Sequence, residues 1–165
     1  MRPWLLAAAL CCVRLRAASG DSSGVVWVSV VEEGVLQTPD WSLRAWQATV
    51  LDGSDGLAVT FDSDDGSVAL DAEESVSSII LVRLALFQPA GAPLRLQLAS
   101  RAERRTSGSL DLSTYGGVSG GDGNWTELSV GIDALALGSS GDDTAWDSLV
   151  FQVRPHALCP CAAPS

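Results

Sequence analysis

Asn124-Trp125-Thr126-Glu127-Leu128-Ser129-Val130-Gly131-Ile132 and, after a Gly/Ser/Asp loop, Trp146-Asp147-Ser148-Leu149-Val150-Phe151-Gln152-Val153 decide the fold. Leu128, Val130 and Ile132 recur every second residue, and so do Leu149, Phe151 and Val153. A period of two sends successive side chains to opposite faces of a strand, whereas an amphipathic helix needs a period near 3.6. The stretch therefore reads as two Trp-led strands. Trp125 and Trp146 fall on the opposite parity to those aliphatics and are expected to pack rather than to meet a ligand.

The same alternation recurs upstream. Val25 to Val31 is apolar on both parities, as in a strand covered on both faces, and Trp27 is expected in the core. Trp46, Ala48 and Val50 alternate with Gln47 and Thr49. Leu57, Val59 and Phe61 lead into Ser63-Asp64-Asp65-Gly66, a turn from which Val68 and Leu70 return as a hairpin. Ile79 to Phe87 is the longest apolar run of the mature chain and reads as a central strand whose one charge is Arg83. Leu94, Leu96 and Leu98 alternate with Arg95, Gln97 and Ala99 beyond a Gly91-Ala92-Pro93 loop, and Leu110 and Leu112 mark a shorter strand. With no helical segments to carry crossovers, this spacing predicts an all-β fold. The expected form is an antiparallel β-sandwich, a jelly roll of about nine short strands.

The first 20 residues are set apart. Arg2 precedes an apolar run from Pro3 to Val13, and Ala17, Ala18, Ser19 and Gly20 are small. That is the plan of a secretory signal peptide cut after Ser19 or Gly20, although Arg14 and Arg16 are unusual so close to the cut. The apolar run falls well short of the roughly 20 residues needed to cross a bilayer. The expected organisation is a leader over 1–20, one β-sandwich domain over 21–153 and a Pro/Cys-containing tail over 154–165. The product is then secreted, with no membrane association after cleavage.

All ten basic residues are arginine, three of them in the leader, which leaves seven against 20 acids and a mature net charge of −13. Such a charge repels nucleic acid and anionic lipid and suits neutral or cationic partners. Once Cys11 and Cys12 leave with the leader, only Cys159 and Cys161 remain. Residues two apart make a strained bridge, so neither staples the core, and either can form an intermolecular disulfide. The only histidine, His156, lies in the tail, so the domain offers no Ser-His-Asp or Cys-His set. We therefore expect no enzyme. A glycan-active hydrolase or lyase using two of the acids stays as a lesser alternative, beside an extracellular structural or adhesive domain that binds protein.

Asp40-Trp41-Ser42, Trp46-Gln47-Ala48-Thr49-Val50, Leu57-Ala58-Val59-Thr60-Phe61, Asn124-Trp125-Thr126-Glu127-Leu128-Ser129-Val130 and Leu149-Val150-Phe151-Gln152 together resemble galactose-binding-like β-sandwich domains of the carbohydrate-binding-module type. The likeness implies a jelly roll, non-catalytic binding of a polysaccharide or glycan, and often a structural calcium. Members of the family commonly add a strand after the Phe-Gln strand, with an Asp that helps hold the calcium. Here Arg154-Pro155-His156 breaks the chain instead.

Sugar rings present C–H faces that stack on aromatic planes, with planar polar groups beside them. Trp41, in a polar segment, and Trp46 are the candidate platforms. Arg83, Arg95 and Gln97 are the candidate polar contacts, lining one face if their two strands are neighbours, and Arg forks and Gln amides suit hydroxyls or a uronic carboxylate. Glu32 and Glu33 offer carboxylates to calcium, but two acids do not fill six or more oxygen positions. Asn124-Trp125-Thr126 matches the N-glycosylation acceptor pattern.

Overall fold

A computed structural model describes residues 6–18, 24–53, 56–63, 65–77, 79–87, 94–112, 126–135 and 145–153. Among these the chain is all-β, with thirteen strands and one 3-10 turn, Ile132–Leu135. The strands are β1 (Leu6–Ala18), β2 (Val25–Glu32), β3 (Val35–Leu36), β4 (Trp41–Trp46), β5 (Ala48–Gly53), β6 (Gly56–Phe61) and β7 (Ser67–Val76). They continue as β8 (Ile79–Phe87), β9 (Leu94–Ser100), β10 (Arg105–Thr106), β11 (Leu110–Asp111), β12 (Thr126–Gly131) and β13 (Trp146–Val153). The count exceeds the expected nine because the segment read as a leader forms β1, and because β3 and β10 are two-residue pairings too short to carry a period. The run from Trp46 to Val50 also breaks in two.

Two antiparallel sheets enclose one core. The larger has seven strands in the order β12-β8-β1-β2-β3, with β6 pairing the other half of β1 and β5 pairing β6. The smaller has six, in the order β10-β9-β13-β7-β4, with β11 also on β9. Each sheet turns one parity inward. Leu84, Leu86, Leu128 and Val130 come from the larger sheet, and Leu70, Leu96, Leu98, Leu149 and Phe151 from the smaller. Phe61 and Phe151 are the bulkiest wholly buried side chains.

Two of the places where the chain changes sheets meet at one corner that the local pattern hides. Gln47 takes a left-handed φ of 47°, so β4 ends in the six-stranded sheet and β5 begins in the seven-stranded one. Ser63 to Gly66 forms the expected turn, with the Gly66 amide donating to the Ser63 carbonyl at 3.0 Å. It does not close a hairpin, because β6 and β7 lie in opposite sheets. The two crossings are tied by the Asp62 amide donating to the Gln47 carbonyl at 2.8 Å and by the Ser63 hydroxyl on the Gln47 side chain. Alternation reports which parity is apolar; it carries no information on which sheet receives it.

Two further expectations are corrected. Trp27 is 44% exposed, on the face of β2 that carries Arg16, and Val26, on the opposite face, is exposed too, so this end of β2 is open on both faces. The neighbouring runs β8 and β9 are not paired: β8 sits between β12 and β1, and β9 between β10 and β13. The segment read as a leader forms β1 in the folded full-length chain, bonded to β8 on one side and to β2 and β6 on the other.

Candidate functional site

The register of the six-stranded sheet gathers three of the five candidate residues on its outer face. Arg95 stands opposite Gln152, Gln152 opposite Ser67, and Ser67 opposite Trp46. Residues directly opposite in an antiparallel pair share a face, so these four form one row across four strands. At about 4.8 Å per strand, the row spans roughly 14 Å. The next row runs Gln97, Val150, Ala69, Arg44, and the third Ala99, Ser148, Asp71, Ser42. A low floor of Ser67, Ala69 and Val150 thus lies between Arg95 and Gln97 on one flank and Arg44 and Trp46 on the other.

Trp46 is 64% exposed, the most solvent-accessible aromatic among the described residues. Arg95 is half-buried and its Nε is enclosed with no acceptor among the described residues. Such an unpaired donor costs free energy until an acceptor arrives. The Gln97 amide donates to the Ser107 carbonyl at 2.8 Å, which anchors the return of the chain after β10. An open indole with a guanidinium and an amide on one plane can take the C–H face of a ring and its hydroxyls together.

Asp71 braces this face from below. Its carboxylate is 5% exposed and accepts from Arg44 Nε at 2.9 Å, from a second Arg44 nitrogen at 3.2 Å and from the Ser148 hydroxyl. Arg101 adds a contact at 3.9 Å, and its backbone amide donates to buried Asp147 at 3.0 Å. Burial alone pushes the Asp71 carboxyl up. The hydrogen bonds from Arg44 and Ser148, with the charges of Arg44 and Arg101, outweigh it and hold the carboxyl below its ordinary range. Arg44 is pushed up in turn, first by its hydrogen bond to Asp71 and then by that charge. A carboxyl held ionised this way anchors arginines and is poorly suited to protonate a leaving group.

The other two candidates lie elsewhere. Trp41 is 3% exposed and points into the core beside Leu43. The polar Thr38-Pro39-Asp40 segment suggested exposure, but strand parity opposite Ala72 turns the ring inward. It forms part of the wall of a cavity of about 680 Å³ at one end of the molecule, with Gln37, Asp40 and Glu74, and is not an open platform. Arg83 stands on the outer face of the seven-stranded sheet, exposed and 3.5 Å from Glu127, so it does not share a face with Arg95 and Gln97. Trp146 is buried, as expected.

Asn124, Trp125, His156, Cys159 and Cys161 lie outside the described residues. Glu32 pairs with Arg14 and Glu33 sits in the β2–β3 turn. Among the described residues no three His, Cys, Asp or Glu side chains gather as metal ligands.

Sequence reasoning missed Arg44, Ser67 and Gln152. Arg44 shares the parity of Trp46, and that much was legible. Their meeting with Arg95 depends on the register of three strand pairs. Comparison with protein-family models, curated proteins and solved structures finds no match for this chain.

Proposed function

We propose that this chain is a secreted, non-catalytic carbohydrate-binding module of the jelly-roll type, with its sugar surface on the outer face of the six-stranded sheet. The row Trp46, Ser67, Gln152, Arg95 carries the proposal: it joins an open indole to planar polar groups over a floor of small side chains. Trp46 stacks on a ring, Arg95 takes a hydroxyl or a uronic carboxylate, and the Gln97 oxygen accepts from a neighbouring hydroxyl. The ligand is a polysaccharide or glycan, neutral or carrying carboxylates that Arg95 can pair. Secretion, glycosylation at Asn124 and an intermolecular disulfide through Cys159 or Cys161 belong to the same proposal.

A panel of immobilised neutral and uronic polysaccharides tests it. Retention by at least one, weakened about tenfold by Trp46→Ala with no change in melting temperature, is the expected result; tenfold corresponds to about 1.4 kcal/mol, the scale of an aromatic stacking contact. Retention of none, or equal retention of the variant, overturns it. Release of free sugar from a retained polysaccharide would favour the hydrolase or lyase reading.

A further inference from the structure

The segment that the sequence marks for removal is also the most fully paired strand of the larger sheet. β1 bonds β8 from Ala9 to Ala17, β6 from Leu6 to Leu10 and β2 from Val13 to Ala18. Without it the seven-stranded sheet is left as β12-β8, β2-β3 and β5-β6, which have no ladder between them. The edges of β8 and of β2 and β6 would stand about 10 Å apart, two strand spacings, each with unpaired amides and carbonyls. The inner side of that gap is the space filled by Leu10, Val13, Leu15 and Ala17, all buried.

The outer rim of the gap has a definite charge pattern. Arg14 donates to Glu32 at 2.8 Å, and Arg16 lies over the Trp27 ring at 5.9 Å. Arg83 stands opposite Arg14, a like-charge neighbour, and is itself 3.5 Å from Glu127. The groups facing the Arg14 position are therefore Glu32, Arg83 with its own acid Glu127, and the Ser29 opposite it. Taking Arg14 away leaves two acids against one base, with an indole face open beside them. A cation restores both the ion pair and the cation–π contact.

We infer that the place of β1 is a strand-acceptor slot. Once residues 1–20 are removed, it takes an antiparallel segment from a partner that alternates aliphatic residues, turned inward, with basic residues, turned outward. Main-chain bonds to two edges supply affinity, and the alternate side chains supply selection. The net charge of −13 on the mature chain favours the same basic partner. The tail does not serve, because Pro155, Pro160 and Pro164 recur through it and a doubly paired strand tolerates no proline. The inference rests on leader removal and on the seven-stranded sheet, so it stands or falls separately from sugar binding on the other face.

The test uses protein secreted from cells expressing the full chain, with its N-terminus determined. A labelled peptide of residues 6–18, with serine at both cysteines, is expected to bind, and the same peptide carrying Arg14→Glu and Arg16→Glu at least tenfold more weakly. In parallel, the full-length chain carrying Arg14→Glu is expected to melt several degrees below the unchanged chain. Retention of residues 1–20 on the secreted protein overturns the inference. So does absence of peptide binding, equal binding of the two peptides, or an unchanged melting temperature of the Arg14→Glu chain.

Discussion

Each sheet carries an arginine–carboxylate pair on its outer face, and the two pairs are opposites. In the six-stranded sheet, Arg44 grips Asp71, a carboxylate only 5% exposed that also holds the Ser148 hydroxyl and faces Arg101. In the seven-stranded sheet, Arg83 reaches Glu127 at 3.5 Å, and that carboxylate is 75% exposed. Water solvates the second pair almost as well as its partners do, so it contributes little. In the first, Arg44 stays open to solvent, but the Asp71 carboxylate has lost its water, and donors from Arg44 and Ser148 compensate it. The difference lies in the carboxylate: buried and fixed by several donors on the six-stranded face, open to water on the seven-stranded one.

Asp71→Ala puts the comparison under the greatest strain. It strips Arg44, Arg101 and Ser148 of a shared acceptor and should cost about 2–3 kcal/mol, or roughly 5–10 °C in melting temperature. A loss below about 0.5 kcal/mol in chemical denaturation would make the two pairs equivalent. The second-largest effect belongs to the seven-stranded sheet. Gly34 has a φ of +76°, and a Cβ there would stand 2.5 Å from the Gly56 Cα, so the β2–β3 turn admits nothing larger. Gly34→Ala should cost about 2 kcal/mol by the left-handed conformation and the clash together, read from the same unfolding curves.

Acid sharpens the contrast further. The folded Asp71 carboxyl titrates below its unfolded value of about 3.9, so its contribution is complete above that pH and is lost as pH falls through the lower folded value. Melting temperature should therefore drop below about pH 4, and the drop should be smaller in Asp71→Ala. Arg83→Ala comes last. It should change stability by no more than about 0.5 kcal/mol, and its melting temperature should be indistinguishable from the unchanged chain in high salt.

How far the site was legible follows from particular residues. Arg95 and Gln97 announced a wet face by alternating with Leu94, Leu96 and Leu98, and that parity holds. Trp46 was legible as a candidate, and the structure leaves it open. Trp41 was misjudged because polarity of the preceding residues is a weaker constraint than the parity of the strand that begins with it. Arg83 was grouped with Arg95 because their strands adjoin in sequence, whereas the chain crosses between sheets after β8. Nothing in a two-residue period distinguishes a hairpin from a crossing.

The sequence by itself determined that this chain forms strands and, for runs such as Leu94–Leu98, Leu128–Val130 and Leu149–Phe151, which parity is apolar, because these depend on neighbours within a few residues. Partnership and register were decided only by tertiary structure. They set Trp46 in line with Arg95 across three strand pairs, sent β6 and β7 to opposite sheets and placed β1 between β8 and its partners. Those choices come from closing one common core, and a gain shared by strands far apart in the chain leaves no mark on any one of them.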